Sequence, residues 1–243
     1  MKVTVGICHY NQNELLERAL SSVRQQQYSD IELLVADDHS PVTPVVPDGA
    51  HLTVAPQNTG NSLWGWNQLI DAATGDYLFL LSGDDELLPT SIEDCVQCVE
   101  KRGGDWIYGG LEVIDKDSKT IEMWDYAGAP TEPVRALATL LMRKQLPIPF
   151  VGMWRVEWLR SNGLHAVPFP DMTETVDTST SIHWLRCWPR IRRVPVPIAR
   201  YRRYGGQETE RIDRDKLAQQ IDKVYHELFD DETLRLFSTA VRG

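Results

Sequence analysis

An uninterrupted apolar run, Tyr77–Leu81, ends abruptly a few residues before two adjacent carboxylates, Asp84 and Asp85. A run with no polar alternation is typical of a strand that is buried on both faces, as in a parallel sheet covered by helices. Ligands of open α/β sheets bind outside the carboxyl ends of the strands. Carboxylates at that position favour a hard divalent cation, which takes oxygen ligands and bridges to substrate phosphates. The alternative is that both acids only cap the following helix.

Two further predicted strands also end in polar residues. The run Ile31–Ala36 leads into Asp37 and Asp38, and Val3–Ile7 leads into the polar turn Cys8–Asn11. At any single strand, turn formation and helix capping would explain such residues. Three strands that deliver polar groups to one edge of a sheet favour a ligand site there.

The order of the predicted elements defines the fold class. Short strands alternate with helical segments in the first third of the chain, which predicts an α/β fold with a mostly parallel central sheet flanked by helices. The segments Trp106–Ile114 and Thr120–Trp124, joined by a polar turn, predict a small antiparallel element. An extended segment follows at Ile191–Tyr204, and the amphipathic segment Asp213–Leu236 predicts a C-terminal helical extension.

Charge and composition exclude several classes of protein. The formal net charge of −10 over 243 residues argues against a nucleic-acid partner, because phosphate backbones require a basic surface. The segment Thr178–Gln207 is nevertheless free of acidic residues and rich in arginine, which suits a phosphate-bearing ligand as well as it suits a solvated surface. Cys95 and Cys98 lie at the spacing of a buried helix face, and no matching pair completes a zinc site.

The N-terminal part of the chain resembles the family 2 glycosyltransferases, which have the Rossmann-like GT-A fold and use nucleotide-sugar donors. The resemblance runs from Val3 to Pro89 and returns weakly at Ser181–Gly206. It rests on Tyr10-Asn11, Leu15–Leu20, Ser22-Val23, Gln26–Tyr28, Ile31-Glu32, Asp37-Asp38, Asn58, Gly60, Asn67, Ala72–Tyr77 and the segment from Asp84-Asp85 to Pro89.

The resemblance implies a role for each matching residue. Asp37 is expected to bind the nucleotide base, Gly83 to lie near the ribose, and Asp84, with Asp85 beside it, to hold Mg²⁺ or Mn²⁺ on the donor diphosphate. A UDP-sugar is the favoured donor, with dTDP- or GDP-sugars as alternatives. Further donor-binding residues are expected at His9, Tyr10, Asn11, Asn58, Asn67 and Arg202.

Members of this family invert the anomeric centre by direct displacement, so one catalytic base suffices. The resemblance implies Asp177 in this role, with Glu174 as the second candidate. The chain departs from the family pattern at Cys8-His9, which replace Pro-Thr, and at Ser82, which replaces the first acid of the Asp-x-Asp motif. Tyr204 stands where family members sometimes carry histidine.

The expected organisation is a GT-A domain over residues 1–206 and a helical extension over 207–243. Residues 1–104 form the half that binds the nucleotide sugar, and residues 105–206 form the half that meets the acceptor. The acceptor is a glycan, a lipid-linked saccharide, a protein or a small molecule. No apolar stretch has the length of a membrane span, so the expected location is cytoplasmic, with peripheral contact at the inner face of the membrane as a further option.

Two other functions are compatible with these residues. A catalytically degenerate homologue would bind a sugar nucleotide without turning it over, and Ser82 favours that alternative. A nucleotidyltransferase on a similar fold would release pyrophosphate from a nucleoside triphosphate.

Overall fold

The structure is a computed structural model that describes residues 1–163, 165, 175–205 and 207–230. The described residues form one eight-stranded sheet with helices on both faces. The strands are β1 Val3–His9, β2 Ile31–Asp37, β3 His51–Val54, β4 Tyr77–Ser82, β5 Trp106–Ile114, β6 Thr120–Trp124, β7 Gly152–Arg155 and β8 Ile191–Arg202. The helices are α1 Asn13–Arg24, α2 Leu63–Ala72, α3 Ser91–Arg102, α4 Pro133–Arg143, α5 Val156–Ser161, α6 Val176–Leu185 and α7 Arg214–Leu228, with a 3₁₀ turn at Glu208–Arg211.

The sheet has the order β3-β2-β1-β4-β7-β5-β6, and β8 pairs with β5. Strand β1 is parallel to both β2 and β4, which confirms the predicted parallel half. Strand β7 is antiparallel to β4 and β5, so β5 and its parallel partner β8 run in the same direction as β4. Strands β5 and β6 form the predicted antiparallel hairpin. The end of β8 therefore lies at the same edge as the ends of β1, β2 and β4.

The apolar run in β4 is buried on both faces because alternate side chains enter two different core clusters. Tyr77, Phe79 and Leu81 pack in the cluster that includes α1 and α3, whereas Leu78 and Leu80 pack in the cluster that includes α2, α4 and α6. The continuous hydrophobic pattern thus follows from burial of both faces of the strand, as predicted.

Most of the tryptophans belong to the second of these clusters. Trp66 stacks on Phe150 with a centroid distance of 4.4 Å, and Trp154 contacts Trp184 edge-on at 4.3 Å. The C-x-x-C pair lies in the other cluster, where Cys95 is fully buried, as the helical spacing predicts.

The last described helix also packs on the core. Ile221 and Val224 of α7 are buried in the same cluster as α4. Helix α7 begins one residue later than the predicted Asp213, and its predicted end at Leu236 lies outside the described residues. No helix in the described ranges has the length and apolarity that a membrane crossing requires.

Candidate functional site

The polar ends of β1, β2 and β4 meet at one edge of the sheet. In the register of the sheet, His9 lies opposite Asp37. The Asp38 amide donates to the His9 carbonyl at 2.9 Å, and the Gly83 amide donates to the Cys8 carbonyl at 2.7 Å. These backbone hydrogen bonds extend past the strand ends, so they hold the three polar turns together as one surface.

Asp84 is partly exposed at this edge, directly after β4. The Tyr204 hydroxyl donates to Asp84 Oδ2 at 3.1 Å and accepts from Gln12 Nε2 at 2.6 Å. Burial, with the negative charge of Asp84, raises the pKa of Tyr204 to about 12. The phenol is therefore a proton donor to Asp84 at neutral pH.

Asp85 has a different environment from its neighbour. It is 2 % exposed, and its Oδ1 accepts from the Arg202 backbone amide at 2.9 Å. Burial and the charges of Asp84 and Asp177 raise its pKa well above the usual value, and the opposing effect of Arg202 is weaker. Of the two adjacent acids, Asp84 is the accessible one.

Asp177 lies in the first turn of α6 and is partly exposed. Helix α6 begins at Val176, because Thr175 caps it and accepts from the Thr178 amide at 3.5 Å. The charge of Asp177 is close enough to raise the pKa of both Asp85 and Cys8. The first candidate base is therefore near the Asp84 turn, whereas Glu174 lies outside the described residues.

Arg202, predicted to bind the donor, is instead fully buried behind the Asp84 turn. All three guanidinium nitrogens donate to protein oxygens, so the fork is occupied by the chain itself. Its acceptors are the carbonyl oxygens of Asp84 (2.8 Å), Asp115 (2.9 Å) and Lys116 (3.1 Å), the Ser118 hydroxyl (3.1 Å) and the Glu86 carboxylate. Arg202 therefore stabilises the Asp84 turn from inside the protein.

The ring of His9 is buried at the end of β1 and is oriented by Asn13. Asn13 Nδ2 donates to the Val42 carbonyl at 3.1 Å, so Asn13 Oδ1 accepts from His9 Nε2 at 2.8 Å. The remaining ring nitrogen, Nδ1, is buried and has no partner among the described residues. Burial lowers the pKa of His9, which favours the neutral ring with a lone pair on Nδ1. A side chain at Gly83 would place its Cβ 3.1 Å from that nitrogen.

The two acids after β2 have different functions in the structure. Asp37 is fully buried, and both of its oxygens accept from Ser40, one from the hydroxyl and one from the amide. Asp38 is 8 % exposed and accepts from the Asn58 side chain and from the amides of Thr59 and Gly60. Asp38 thus orders the loop after β3.

The remaining predicted residues surround this edge. Tyr10 is 46 % exposed, and Asn11 has a left-handed backbone with φ of 51° and donates its amide to the Ser40 hydroxyl at 2.8 Å. Asn58 is exposed in the loop held by Asp38, and Asn67 is partly exposed on α2.

The donor set at this edge suits a hard cation that a ligand helps to hold. The described residues contain no group of three or more His, Cys, Asp or Glu side chains placed to bind a metal. Mg²⁺ is usually bound through one or two carboxylates together with substrate phosphates. A single accessible carboxylate at Asp84 fits that mode, and it does not fit a site built from protein ligands alone.

Comparison with known proteins decides the family. The sequence model described as "Glycosyl transferase family 2" matches residues 4–151, which is more than half of the chain. The chain belongs to glycosyltransferase family 2. This result confirms the resemblance, and the matched region includes β1, β2, β4 and the Asp84 turn.

Curated members of the family are similar to the chain over part of their length. An uncharacterized glycosyltransferase of Nostoc sp. is 31 % identical over 129 residues, which is 50 % of this chain and 40 % of that protein. The GalNAc(5)-diNAcBac-PP-undecaprenol beta-1,3-glucosyltransferase of Campylobacter jejuni is 30 % identical over 155 residues, 59 % of this chain and 48 % of that protein. The chain therefore spans less than half the length of these relatives.

Solved structures confirm the GT-A fold of this family member. The crystal structure of S. aureus TarS 1–349 in complex with UDP-GlcNAc superposes with a TM-score of 0.72 at 15 % identity, covering 99 % of this chain and 72 % of that one. The complex of the same protein with UDP superposes with a TM-score of 0.70 at 13 % identity, covering 99 % of this chain and 70 % of that one. At these identities the likeness concerns the fold.

Sequence reasoning missed two residues of this family 2 site. Gln12 reaches Asp84 through Tyr204, although the two lie far apart in the sequence. Ser40 holds Asp37 and also the Asn11 amide. A Ser that follows paired acids by two residues is a signal for Asx-type capping, and it would have pointed to Ser40. No local pattern points to Gln12.

Proposed function

We propose that the chain transfers a sugar from a nucleoside-diphosphate sugar to an acceptor hydroxyl, with inversion and with the help of Mg²⁺ or Mn²⁺. The observation that carries this proposal is the accessible carboxylate of Asp84, which directly follows β4 at the edge where the polar turns of β1 and β2 also meet. Membership of the family supports sugar transfer as the reaction class. Asp84 and the donor phosphates would hold the cation, which when bound neutralises charge on the leaving diphosphate.

The nucleotide would lie over Gly83, between the β1 and β2 turns. His9, whose Nδ1 is buried, would support the turn beneath the nucleotide, and the Asp38-ordered loop would form the wall beside it. Asp37 is proposed to act on the base indirectly, by fixing Ser40, since its own carboxylate is buried. A UDP-sugar is the favoured donor, which the UDP and UDP-GlcNAc named in the S. aureus structures support.

Asp177 is proposed as the catalytic base. Its carboxylate would take the proton of the acceptor hydroxyl while that oxygen attacks the anomeric carbon and the bond to the diphosphate oxygen breaks. The sugar configuration inverts because the new bond forms opposite the old one. The influence of Asp177 on the pKa of Asp85 supports its proximity to the reaction centre. Glu174 is the second candidate.

The acceptor class and the domain limits are also proposals. The name of the Campylobacter jejuni relative contains a PP-undecaprenol-linked saccharide, which favours a lipid-linked acceptor reached at the inner membrane surface from the cytoplasm. We propose residues 1–206 as the catalytic unit and 207–243 as an extension that docks through α7. The burial of Ile221 and Val224 supports this docking.

The test compares Asp84→Asn with Asp117→Asn, a control in an exposed turn. We expect Asp84→Asn to reduce release of UDP from UDP-sugars by about 100-fold or more, because one electrostatic contact to developing charge has that magnitude. Asp117→Asn should behave as wild type, and both variants should keep the thermal unfolding temperature. Unchanged turnover in Asp84→Asn would falsify the metal role. Wild-type protein that binds UDP but never releases it from a UDP-sugar, with water or any acceptor, would establish the binding-only alternative.

A further inference from the structure

A chain of hydrogen bonds links Asp84 to two other segments of the protein. Gln12 Nε2 lies 2.6 Å from the Tyr204 hydroxyl, which lies 3.1 Å from Asp84 Oδ2. Gln12 precedes α1, Tyr204 follows β8, and Asp84 follows β4. These hydrogen bonds therefore connect the turn before α1, the Asp84 turn and the end of β8.

The direction of these hydrogen bonds is fixed by chemistry. The amide nitrogen of Gln12 can only donate, and Asp84 Oδ2 accepts from the phenol. Tyr204 therefore accepts from Gln12 with a lone pair and gives its single proton to Asp84. This hydrogen bond takes one lone pair of Asp84 Oδ2, so Oδ1, which receives nothing from the phenol, is the more available oxygen for a cation.

Tyr204 is itself held in place by the backbone around it. Its amide donates to Gln207 Oε1 at 3.0 Å, and Gln207 Nε2 donates to the Arg202 carbonyl at 2.6 Å. Gln207 is 6 % exposed, so this clamp is protected from water. The phenol oxygen is consequently positioned by the fold before any ligand binds.

We propose that Tyr204 is a positioning residue that presents Asp84 to the divalent cation as a one-oxygen ligand, with Gln12 orienting the phenol. This inference rests on the proposed function, since it concerns the same cation. Groups that orient a metal ligand from outside typically contribute 10–100-fold to metal affinity.

The experiment measures Mn²⁺ binding in the presence of UDP, from the electron paramagnetic resonance signal of free Mn²⁺. Tyr204→Phe removes only the hydroxyl, and Tyr126→Phe, which removes the hydroxyl of a ring that packs edge-on against Tyr108, is the matched control. We expect the Kd for Mn²⁺ to rise about 10-fold or more in Tyr204→Phe and to stay unchanged in Tyr126→Phe. Turnover of Tyr204→Phe should recover as Mn²⁺ is raised, which a structural lesion would not do.

Gln12→Leu tests the same series of hydrogen bonds at its Gln12 end, independently of how well Tyr204→Phe folds. We expect a smaller shift in the same direction, because the phenol keeps its proton but loses the hydrogen bond that orients it. Equal Mn²⁺ affinity in wild type and both variants overturns the positioning role and leaves the proposed function intact. Wild-type protein that binds UDP but shows no UDP-dependent Mn²⁺ binding overturns both this inference and the proposed cation.

Discussion

Replacement of Arg202 by methionine separates two roles for this residue. A donor-binding arginine, as the sequence predicts, would lose nucleotide affinity without loss of stability. The structure instead shows a fully buried guanidinium whose neighbours are all protein groups. We therefore expect Arg202→Met to destabilise the fold first and to affect the site only through that loss.

The expected loss of stability follows from the groups that lose their hydrogen-bond partner when Arg202 is replaced. The Glu86 side chain is 10 % exposed, and Arg202 is its nearest positive charge. The second one, Arg200, is 3.6 Å from Glu86, so the substitution would leave a buried carboxylate without its main partner. Breaking a buried ion pair by removing one partner costs about 3–5 kcal/mol of unfolding free energy. For a chain of this size, each kcal/mol corresponds to about 2–4 °C, so the unfolding temperature should fall by about 6–20 °C.

The assay is urea and thermal unfolding followed by tryptophan fluorescence, combined with UDP binding by calorimetry. Arg203→Met is the matched control, because Arg203 is 44 % exposed and its partner Glu122 is 48 % exposed at 3.2 Å. A solvent-exposed pair of this kind contributes about 0–1 kcal/mol. An Arg202→Met protein that melts with the wild type and yet loses UDP affinity would refute the internal role and restore the donor-binding one.

Two further predictions concern stability at low pH and the catalytic base. Burial alone would raise the pKa of Glu32, but hydrogen bonds from Thr4, Thr74 and Lys2 outweigh it and lower the pKa to about 2. The stabilisation from ionised Glu32 is therefore present above the unfolded-state pKa and is lost as the pH falls toward 2. With a discount for solvent screening, Glu32→Gln should lower the unfolding free energy by about 1–2 kcal/mol at pH 7. Urea titrations at low pH should show no difference between this variant and the wild type. Asp177→Asn should cut turnover by about 100-fold or more while UDP and Mn²⁺ binding persist in calorimetry, and retained turnover would move the base to another acid.

The sequence predicts the parallel half of the sheet because its strands are buried on both faces and end in polar turns. It predicts the edge where the ligand groups meet for the same reason, since parallel strands share one carboxyl edge. The sequence does not predict the position of β7, because the order of a short strand in a sheet depends on long-range pairing that no local pattern specifies. Its insertion between β4 and β5 is what aligns β8 with the site.

The sequence could not distinguish ligand-binding side chains from the side chains that support them. Arg202, Asp37 and Asp85 are polar residues at the right edge, yet all three are buried and bound to other parts of the chain. Burial at a strand end depends on which loop covers it, here the β5–β6 turn over Arg202. The polarity and position of these residues predict where the site lies, and tertiary contacts determine which acid of each adjacent pair is accessible.

The departures from the family pattern are physically coupled to two glycines. Cys8 and His9 are larger or differently shaped than the residues they replace, and they need space at the end of β1. A Cβ at Gly65 would lie 2.9 Å from Cys8 Sγ, and a Cβ at Gly83 would lie 2.8 Å from the Cys8 carbonyl oxygen. Glycine inside a helix such as α2 costs about 0.5–1 kcal/mol relative to alanine, so Gly65 is retained against its propensity. At Gly83 a Cβ would also lie 3.1 Å from His9 Nδ1, so the same argument applies there, and glycine at both positions leaves room for the Cys8-His9 pair.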